Sequence, residues 1–374
     1  MTNKALQRRV EQLLADADIR TDGARDPRPW DIRIHDPRFY ARVIAQGSLG
    51  LGESYMDGWW DTDSLDGTLF RLLSARIDRR VRGLSDIADG ARAWLVNLQR
   101  RARSFDVGRR HYDLGNDLYR AMLGERLVYS CGYWHEARSL DAAQEAKLDL
   151  VCRKLQLRPG LRLLDIGCGW GELLKFAAER YGAVGVGVTV SREQAAYATT
   201  LCAGLPIDIR LQDYRDLQGS FDRIASIGMF EHVGFRNYAT YFDVARRCLA
   251  DDGLFLLHTI GTNTSVTHTD PWIARYIFPN SMLPSAAQIA HACEGRFVLE
   301  DWHGFGPDYD RTLQAWYANI EAAWPSLPAY DERFRRMWRF YLCASMALFR
   351  ARRAQLWQFV LSPRGVPGGY PAVR

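Results

Sequence analysis

The chain has 374 residues and a formal net charge of +5, with 47% apolar and 25% charged residues. This composition is ordinary for a globular protein and excludes wholesale disorder, while the length predicts two domains or one large domain with an appendage. The longest strongly apolar stretches, such as residues 253–257, have the size of strands and fall well short of the ~20 residues of a membrane-spanning helix.

Seven scattered cysteines without C-x-x-C spacing predict reduced thiols and no metal site. The first residues form an amphipathic helical pattern and not an apolar secretory signal, so we expect a cytoplasmic protein. The mild positive charge suits nucleic acid or anionic lipid, although an inert basic surface explains it equally well. Twelve tryptophans favour lipid weakly, because this residue suits membrane–water interfaces.

Residues 1–90 are interpreted as a small N-terminal α+β unit. Periodicity predicts helices over 5–16 and 39–46 and a short strand over 30–35. The glycine-rich stretch 47–60 is interpreted as a turn followed by an aromatic cluster. No catalytic constellation is evident in this unit.

Arginines are concentrated between residues 79 and 110 around an apolar stretch at 93–98. This pattern predicts a basic linker over 91–110 that leads into a catalytic domain over 111–374. A solvated linker helix is the simpler interpretation, and an arm that touches lipid headgroups is the alternative.

Strand and helix patterns alternate along the rest of the chain. The predicted strands are 161–166, 184–190, 207–211, 223–227, 253–260 and 356–361, and the predicted helices are 172–181, 191–202, 238–249 and 332–355. This alternation indicates an α/β fold with a parallel sheet and helices on both faces.

A glycine-rich loop, Gly167-Cys-Gly-Trp-Gly171, joins the first strand of this region to a helix, and Asp165 stands just before it. Glycines allow a tight turn and a close approach of the backbone to a ligand, but dinucleotide enzymes use a related loop. The second strand runs into Ser191 without the acidic residue that holds a nicotinamide ribose. Gln212 and Asp213 follow the third strand, where they suit contacts to adenine. These features favour S-adenosylmethionine over a dinucleotide.

Several longer motifs add to this loop. They are Gly47-Ser-Leu-Gly-Leu-Gly-Glu-Ser-Tyr-Met-Asp-Gly-Trp-Trp60, His111-Tyr-Asp-Leu-Gly-Asn-Asp117, Tyr129-Ser-Cys-Gly-Tyr-Trp134, Leu164-Asp-Ile-Gly-Cys-Gly-Trp-Gly171, Gly228-Met-Phe-Glu-His-Val-Gly234, Leu257-His-Thr-Ile-Gly261, Asp270-Pro-Trp-Ile273, Tyr276-Ile-Phe-Pro-Asn280, Glu300-Asp-Trp-His303 and Gly306-Pro-Asp-Tyr-Asp310. With them the chain resembles the cyclopropane-fatty-acyl-phospholipid synthases of the mycolic acid cyclopropane synthase superfamily. The resemblance covers almost the full chain. It implies a Rossmann-like class I S-adenosylmethionine methyltransferase fold with a seven-stranded, mostly parallel sheet.

The resemblance also implies the reaction. A methylene group is transferred from S-adenosylmethionine to the cis double bond of an unsaturated acyl chain in a membrane phospholipid. The intermediate carbocation loses a proton to bound bicarbonate, and the cyclopropane ring closes. Aromatic rings suit a buried cation, and the candidates are Tyr129, Tyr133, Trp134, Tyr309 and Tyr317. Core packing is the alternative for each and is favoured for Trp134 and Tyr317.

The family pattern, transferred position by position, names the site residues. For bicarbonate the resemblance implies Cys131, Glu231, His258, Ile260 and Tyr309. For S-adenosylmethionine it implies Tyr129, Ser130, Gly167, Gly169, Gly171, Thr189, Gln194, Gln212 and Asp213. The anion would accept from His258, the Tyr309 hydroxyl and a backbone N–H of Ile260 or Cys131, while Glu231 accepts a hydrogen bond from its hydroxyl and so orients the ion. Residues 262–283 are interpreted as a cover over the acyl tunnel.

Two alternatives remain at this point. One is a related lipid methyltransferase that leaves a methyl branch, and the other is a non-catalytic lipid-binding protein that kept the fold. For the enzyme we expect a homodimer at the inner face of the cell membrane, with a phospholipid surface as its partner and no nucleic acid. Residues 1–90 are expected to be a lipid-binding or accessory domain that helps to join the subunits or bind the membrane.

Overall fold

The computed structural model of the chain describes residues 3–21, 26–81 and 116–374. The predicted basic linker over 91–110 and most of the motif at 111–117 lie outside the described residues. The front of the chain contains α1 (Asn3–Asp16), β1 (Arg33–Ile34), α2 (Arg38–Gln46), α3 (Ser48–Met56), β2 (Trp60–Asp61), α4 (Leu65–Ser74) and α5 (Ile77–Arg80).

The remainder of the described chain alternates between strands and helices. It contains α6 (Asn116–Leu123), α7 (Leu140–Lys154), β3 (Arg162–Ile166), α8 (Glu172–Tyr181), β4 (Val184–Thr189), α9 (Arg192–Leu201), β5 (Ile207–Leu211), β6 (Phe221–Ile227), α10 (Tyr238–Cys248), β7 (Leu249–Thr262), α11 (Pro271–Tyr276), α12 (Ala286–Cys293), β8 (Val298–Gly304), α13 (Pro307–Ala323), α14 (Glu332–Arg350) and β9 (Ala354–Ser362). Short 3-10 helices occur at Tyr214–Asp216, Phe230–His232, Phe235–Asn237 and Trp324–Ser326.

Seven of these strands form one sheet in the order β5-β4-β3-β6-β7-β9-β8. Neighbours from β5 to β7 are parallel, and β9 runs antiparallel between β7 and β8. The predicted seven-stranded, mostly parallel sheet is therefore confirmed. The strand order reverses direction between β3 and β6, and open α/β sheets bind ligands at the carboxyl edge of such a point.

The glycine-rich stretch after residue 47 is helical, so its interpretation as a turn was wrong. A Cβ on Gly50 would lie 2.4 Å from the Arg42 carbonyl oxygen, and one on Gly52 would lie 2.4 Å from the Trp272 ring. The glycines therefore serve close packing of α3 against α2 and α11. These contacts outweigh the low helix propensity of glycine, which costs about 1 kcal/mol per residue.

Two other boundaries differ from the predictions. The strand expected over 30–35 is reduced to β1, which pairs with β2. The helix expected over 332–355 ends at Arg350, because Arg352 takes a left-handed conformation with φ of 55° and turns the chain into β9.

The front unit and the last two helices share one hydrophobic core. Phe39 and Trp60 belong to the same buried cluster as Trp338 and Phe340 of α14. Ion pairs cross the same boundary, and they are Asp57–Arg333 at 3.0 Å, Asp61–Arg336 at 2.8 Å, Asp66–Arg350 at 2.8 Å and Asp78–Arg353 at 2.9 Å. The division of the chain at residue 90 stays a prediction, while the apolar core runs across the packed elements without a break.

Within residues 3–21, 26–81 and 116–374, no helix has both the length and the apolar character needed to cross a membrane.

Candidate active site

A cavity of about 200 Å³, the glycine-loop cavity, lies at the carboxyl ends of β3 and β4. Eight residues predicted for S-adenosylmethionine line it, and they are Tyr129, Ser130, Gly167, Gly169, Thr189, Gln194, Gln212 and Asp213. The ninth, Gly171, does not. It precedes α8 with φ of 91°, and a Cβ there would lie 3.0 Å from Ala198 Cβ and 3.3 Å from Cys202 Sγ. Gly171 therefore serves the packing of α8 against α9.

The glycine loop is held against the end of β4. The N–H groups of Gly167 and Cys168 both donate to the Val188 carbonyl oxygen, at 2.9 and 3.0 Å. Gly167 and Gly169 have φ of 86° and 55°, which glycine adopts without a steric penalty. The loop thus turns sharply and leaves its backbone at the cavity wall.

Polar side chains complete the opposite wall. The Thr189 hydroxyl donates to Gln194 Oε1 at 2.9 Å, and Ser191 caps α9 by accepting from the Gln194 N–H. Asp213 accepts from the Arg215 N–H at 3.0 Å through Oδ1, while its buried Oδ2 has no hydrogen-bond partner among the described residues. An unsatisfied buried acceptor in a cavity wall suits a ligand that brings a donor.

Several charged residues of this cavity were not predicted for it, among them Lys147 and Asp165. Lys147 on α7 donates to Ser130 Oγ at 3.1 Å, and burial lowers its pKa to about 8. Asp165 closes β3, and burial raises its pKa to about 7. Asp165 stood directly before the glycine loop, which was a usable signal, whereas Lys147 looks in the sequence like any helical lysine.

A larger cavity of about 1070 Å³ adjoins the first. Glu231, His258, Ile260 and Tyr309 line it together. Glu231 follows β6, His258 and Ile260 belong to β7, and Tyr309 stands in the first turn of α13. Much of the segment 262–283 also lines this cavity. The sheet edge and α13 therefore bring four of the five residues predicted for bicarbonate to the lining of one cavity.

The Glu231 carboxylate is buried, and one of its two oxygens accepts a hydrogen bond. The Ile260 N–H donates to its Oε1 at 2.7 Å, while Oε2 is buried without a partner in the described part of the chain. Burial raises the pKa of Glu231 to about 7. The Ile260 N–H therefore orients Glu231 in this arrangement, and its expected donation to an anion, as the alternative to the Cys131 N–H, stays a prediction.

His258 is buried with 1% exposure and is paired across the sheet with Gln358 of β9. Gln358 Nε2 and His258 Nδ1 lie 3.1 Å apart, and in the tautomer in which the Gln358 amide donates, the ring proton lies on Nε2. Nε2 has no partner among the described residues. Burial holds the pKa of His258 well below its ordinary value, so the ring is neutral and presents one N–H. Gln358 was predicted only as part of a strand.

Cys131 lies outside both cavities, so the structure does not place its thiol at the anion site. Its Sγ donates to the Gly132 carbonyl oxygen at 3.1 Å and lies 3.8 Å from Thr312 Oγ1. Burial raises the pKa of the thiol well above its ordinary value. Contact with α13 through Thr312 turns the side chain into the protein interior.

The five aromatic candidates separate into two groups. Tyr129 and Tyr309 line the large cavity, and Tyr129 also lines the glycine-loop cavity. Tyr133, Trp134 and Tyr317 line neither. Trp134 Nε1 donates to Thr312 Oγ1 at 2.8 Å, and Tyr133 packs edge-on against Phe305. Only the first group faces space that a ligand could fill.

The two cavities meet at a shared wall. Tyr129, Ser130, Gly228 and His232 line both of them. Burial lowers the pKa of His232 to about 4, so this wall carries no imidazolium at neutral pH. Ligands in the two cavities would face each other across these four residues. Among the described residues, His, Cys, Asp and Glu side chains form no group of three or more that could hold a metal ion.

Residues 99–359 match the family described as mycolic acid cyclopropane synthetase. The chain is 52% identical over 367 residues to the cyclopropane-fatty-acyl-phospholipid synthase of Escherichia coli K12, covering 98% of this chain and 95% of that protein. It is 33% identical over 396 residues to the tuberculostearic acid methyltransferase UfaA1 of Mycobacterium tuberculosis, covering 98% of this chain and 92% of that protein.

A solved structure shares the fold. The mycolic acid cyclopropane synthase CmaA1, complexed with SAH and CTAB, aligns with a TM-score of 0.64 and 32% identity. The alignment covers 71% of this chain and 99% of that chain. The similarity therefore takes in the whole of that shorter protein.

Proposed function

Because the chain belongs to the mycolic acid cyclopropane synthetase family, we propose that it transfers a methylene group from S-adenosylmethionine to the cis double bond of a phospholipid acyl chain. One observation carries this proposal most directly. A glycine-loop cavity and a larger cavity adjoin at four shared residues, and a half-satisfied carboxylate and imidazole line the larger one. That arrangement suits a reaction between two bound molecules and a proton acceptor.

The glycine-loop cavity fits S-adenosylmethionine, which supplies a methyl group made electrophilic by its sulfonium. The backbone at Gly167 and Gly169 allows close approach, and the unpartnered Asp213 Oδ2 suits an amino or hydroxyl donor. SAH, the demethylated form of this donor, is bound in the CmaA1 structure and supports the assignment.

The larger cavity suits an acyl chain. Its wall includes the apolar side chains of Ile260, Phe278, Leu313, Leu348 and Phe349. Apolar walls exclude water, which would otherwise capture a carbocation. CTAB, a long-chain amphiphile, is bound in the CmaA1 structure and supports the binding of a lipid tail.

Glu231 and His258 fit a small anion that carries one hydroxyl. The free Oε2 of Glu231 would accept the hydroxyl proton, and the Nε2–H of His258 would donate to an anionic oxygen. Bicarbonate has both groups and, when bound, would supply the base for proton removal. Tyr129 and Tyr309 line the same cavity, where their ring faces suit a transient cation.

The exposed part of the large-cavity wall supports entry of a phospholipid. Arg76 and Arg352 are exposed and line this cavity, and Arg353 lies beside them, paired with Asp78. Arginine is well suited to phosphate and to anionic membrane surfaces. We therefore propose that the enzyme works at the inner face of the membrane as a peripheral cytoplasmic protein. A homodimer stays a prediction.

A lipid methyltransferase that leaves a methyl branch is the second candidate. The 33% identity to a protein named as a tuberculostearic acid methyltransferase favours it. The paired acceptor and donor at Glu231 and His258 favour ring closure, because the ring forms only when a proton leaves the new methyl group.

The proposed function is tested with vesicles of cis-unsaturated phospholipid and isotopically labelled S-adenosylmethionine. We expect acyl chains about 14 mass units heavier, the mass of one CH₂ group, and resistant to catalytic hydrogenation. A product that takes up hydrogen retains an alkene and contradicts ring formation. Binding of the donor without turnover of any unsaturated lipid would favour a non-catalytic lipid-binding protein.

Activity should depend on pH through Glu231. Its ionised carboxylate accepts the hydroxyl of the proposed anion through Oε2, and burial raises its pKa to about 7. As the pH falls through about 7 the ionised fraction falls, so kcat/KM should fall by about tenfold per pH unit below that value. The profile is measured with the bicarbonate concentration held constant at every pH. A flat profile from pH 8 to pH 5.5 under that condition would exclude this role.

A further inference from the structure

Helix α7 carries two buried lysines in different electrostatic settings. Lys147 and Lys154 have 1% and 0% exposure. Lys154 Nζ lies 3.5 Å from Asp301 Oδ2 and 3.0 Å from His303 Nδ1, so the chain itself supplies its anionic partner. Lys147 Nζ donates to Ser130 Oγ at 3.1 Å, and the carboxylates of Asp165 and Glu172 attract it only from beyond ion-pair distance.

Such a setting is unfavourable for an ammonium group. A buried charge without a partner costs several kcal/mol, and buried lysines are therefore normally paired. The ammonium also has three donors, of which Ser130 takes one. The lysine consequently fits a site whose anion arrives with a ligand.

The position of Lys147 indicates which ligand supplies this anion. It lines the glycine-loop cavity together with Ser130 and Asp165, and it does not line the large cavity. S-adenosylmethionine has a single anionic group, the carboxylate of its methionine part. Asp165 lines the same cavity with Oδ1 unpartnered among the described residues, which suits the ammonium of the same amino acid.

We infer that Lys147 binds the methionine carboxylate of S-adenosylmethionine and so determines that the cavity takes the complete amino-acid part of the donor. This inference rests on the proposed function only for the identity of the methyl donor. Ser130 positions the ammonium through its hydroxyl, and Lys154 has no part in it because it lines neither cavity.

The test compares two ligands by calorimetric titration of the full-length protein, without turnover. S-adenosylhomocysteine carries the carboxylate, and 5′-methylthioadenosine lacks the whole amino-acid part. Lys147→Met removes the charge at similar length. We expect this variant to lower the affinity for S-adenosylhomocysteine at least about tenfold, as for a lost hydrogen bond to a charged group. Its affinity for 5′-methylthioadenosine should change less than about twofold. Lys154→Met, the matched control on the same helix, should leave both affinities unchanged.

A third ligand, decarboxylated S-adenosylhomocysteine, tests the same contact in the wild-type protein, so this result does not depend on how well a variant folds. The wild-type protein should bind it at least about tenfold more weakly than S-adenosylhomocysteine. Equal affinity of Lys147→Met and wild type for S-adenosylhomocysteine would overturn the inference, and so would an equal loss for both ligands, which indicates altered cavity shape. A wild-type protein that binds neither ligand would instead refute the proposed donor.

Discussion

Replacing Glu231 with glutamine should lower turnover by about 100-fold or more, while the affinity for S-adenosylhomocysteine stays within about twofold of wild type. Glutamine keeps an oxygen to accept the Ile260 N–H, so the local fold is retained. Its NH₂ group then replaces the free Oε2 and presents a donor where the proposed anion presents its hydroxyl. Methylene transfer to vesicles and calorimetric titration measure the two quantities.

Glu53 offers a matched control for this variant. It is also a buried glutamate with 5% exposure, but it lies in α3, accepts from Tyr276 and pairs with Arg42 away from both cavities. Glu53→Gln should retain turnover. Near-normal activity of Glu231→Gln would remove Glu231 from the reaction, and a matching loss in both variants would attribute the effect to buried glutamates in general.

The second large effect is expected at Gln358, a positioning residue that acts through His258. Gln358→Met keeps the side-chain length but removes the donor to Nδ1. His258 then no longer has its proton fixed on Nε2, and a ring with a lone pair there would repel an anion. We expect the bicarbonate concentration for half-maximal activity to rise about tenfold or more, with a smaller effect at saturating bicarbonate. Activity as a function of added bicarbonate measures this.

A double-mutant cycle separates this role from packing. In a His258→Ala background, Gln358→Met should cause little further loss, because the residue acts through the missing imidazole. Additive losses would show that Gln358 contributes to the sheet independently of His258. An unchanged bicarbonate requirement in the single variant would also contradict the assignment.

The sheet was predictable because its strands obey local rules. Apolar strands that alternate with helices indicate a parallel sheet, and Ser191 marks the start of α9 as predicted. The predictions of secondary structure failed where tertiary contacts outweigh local preferences. Gly50 and Gly52 discourage a helix locally, yet they allow the approach of Arg42 and Trp272, which no local pattern reveals.

The site was predictable where a residue follows a parallel strand. Glu231 and His258 fall at that edge, whereas Tyr309 arrives on α13, which was not predicted although Pro307 at its first turn is typical of a helix start. Cys131 lines neither cavity, and its thiol contacts Thr312 of the same helix, so the predicted role of its backbone N–H stays a prediction. Gln358 was not predicted because its contact with His258 depends on the register of two strands that are far apart in the sequence. Lys147 was not predicted because only the folded structure shows that it lacks an ion pair with the described residues.

The core that the front unit shares with α14 has a consequence for biosynthesis. Four ion pairs link residues 57–78 with residues 333–353, across sequence separations of 275 to 284 residues. During translation, residues 57–78 leave the ribosome long before residues 333–353 do. The apolar surfaces of the front helices therefore stay incompletely covered during most of translation, and the earliest-made segment completes its packing among the last.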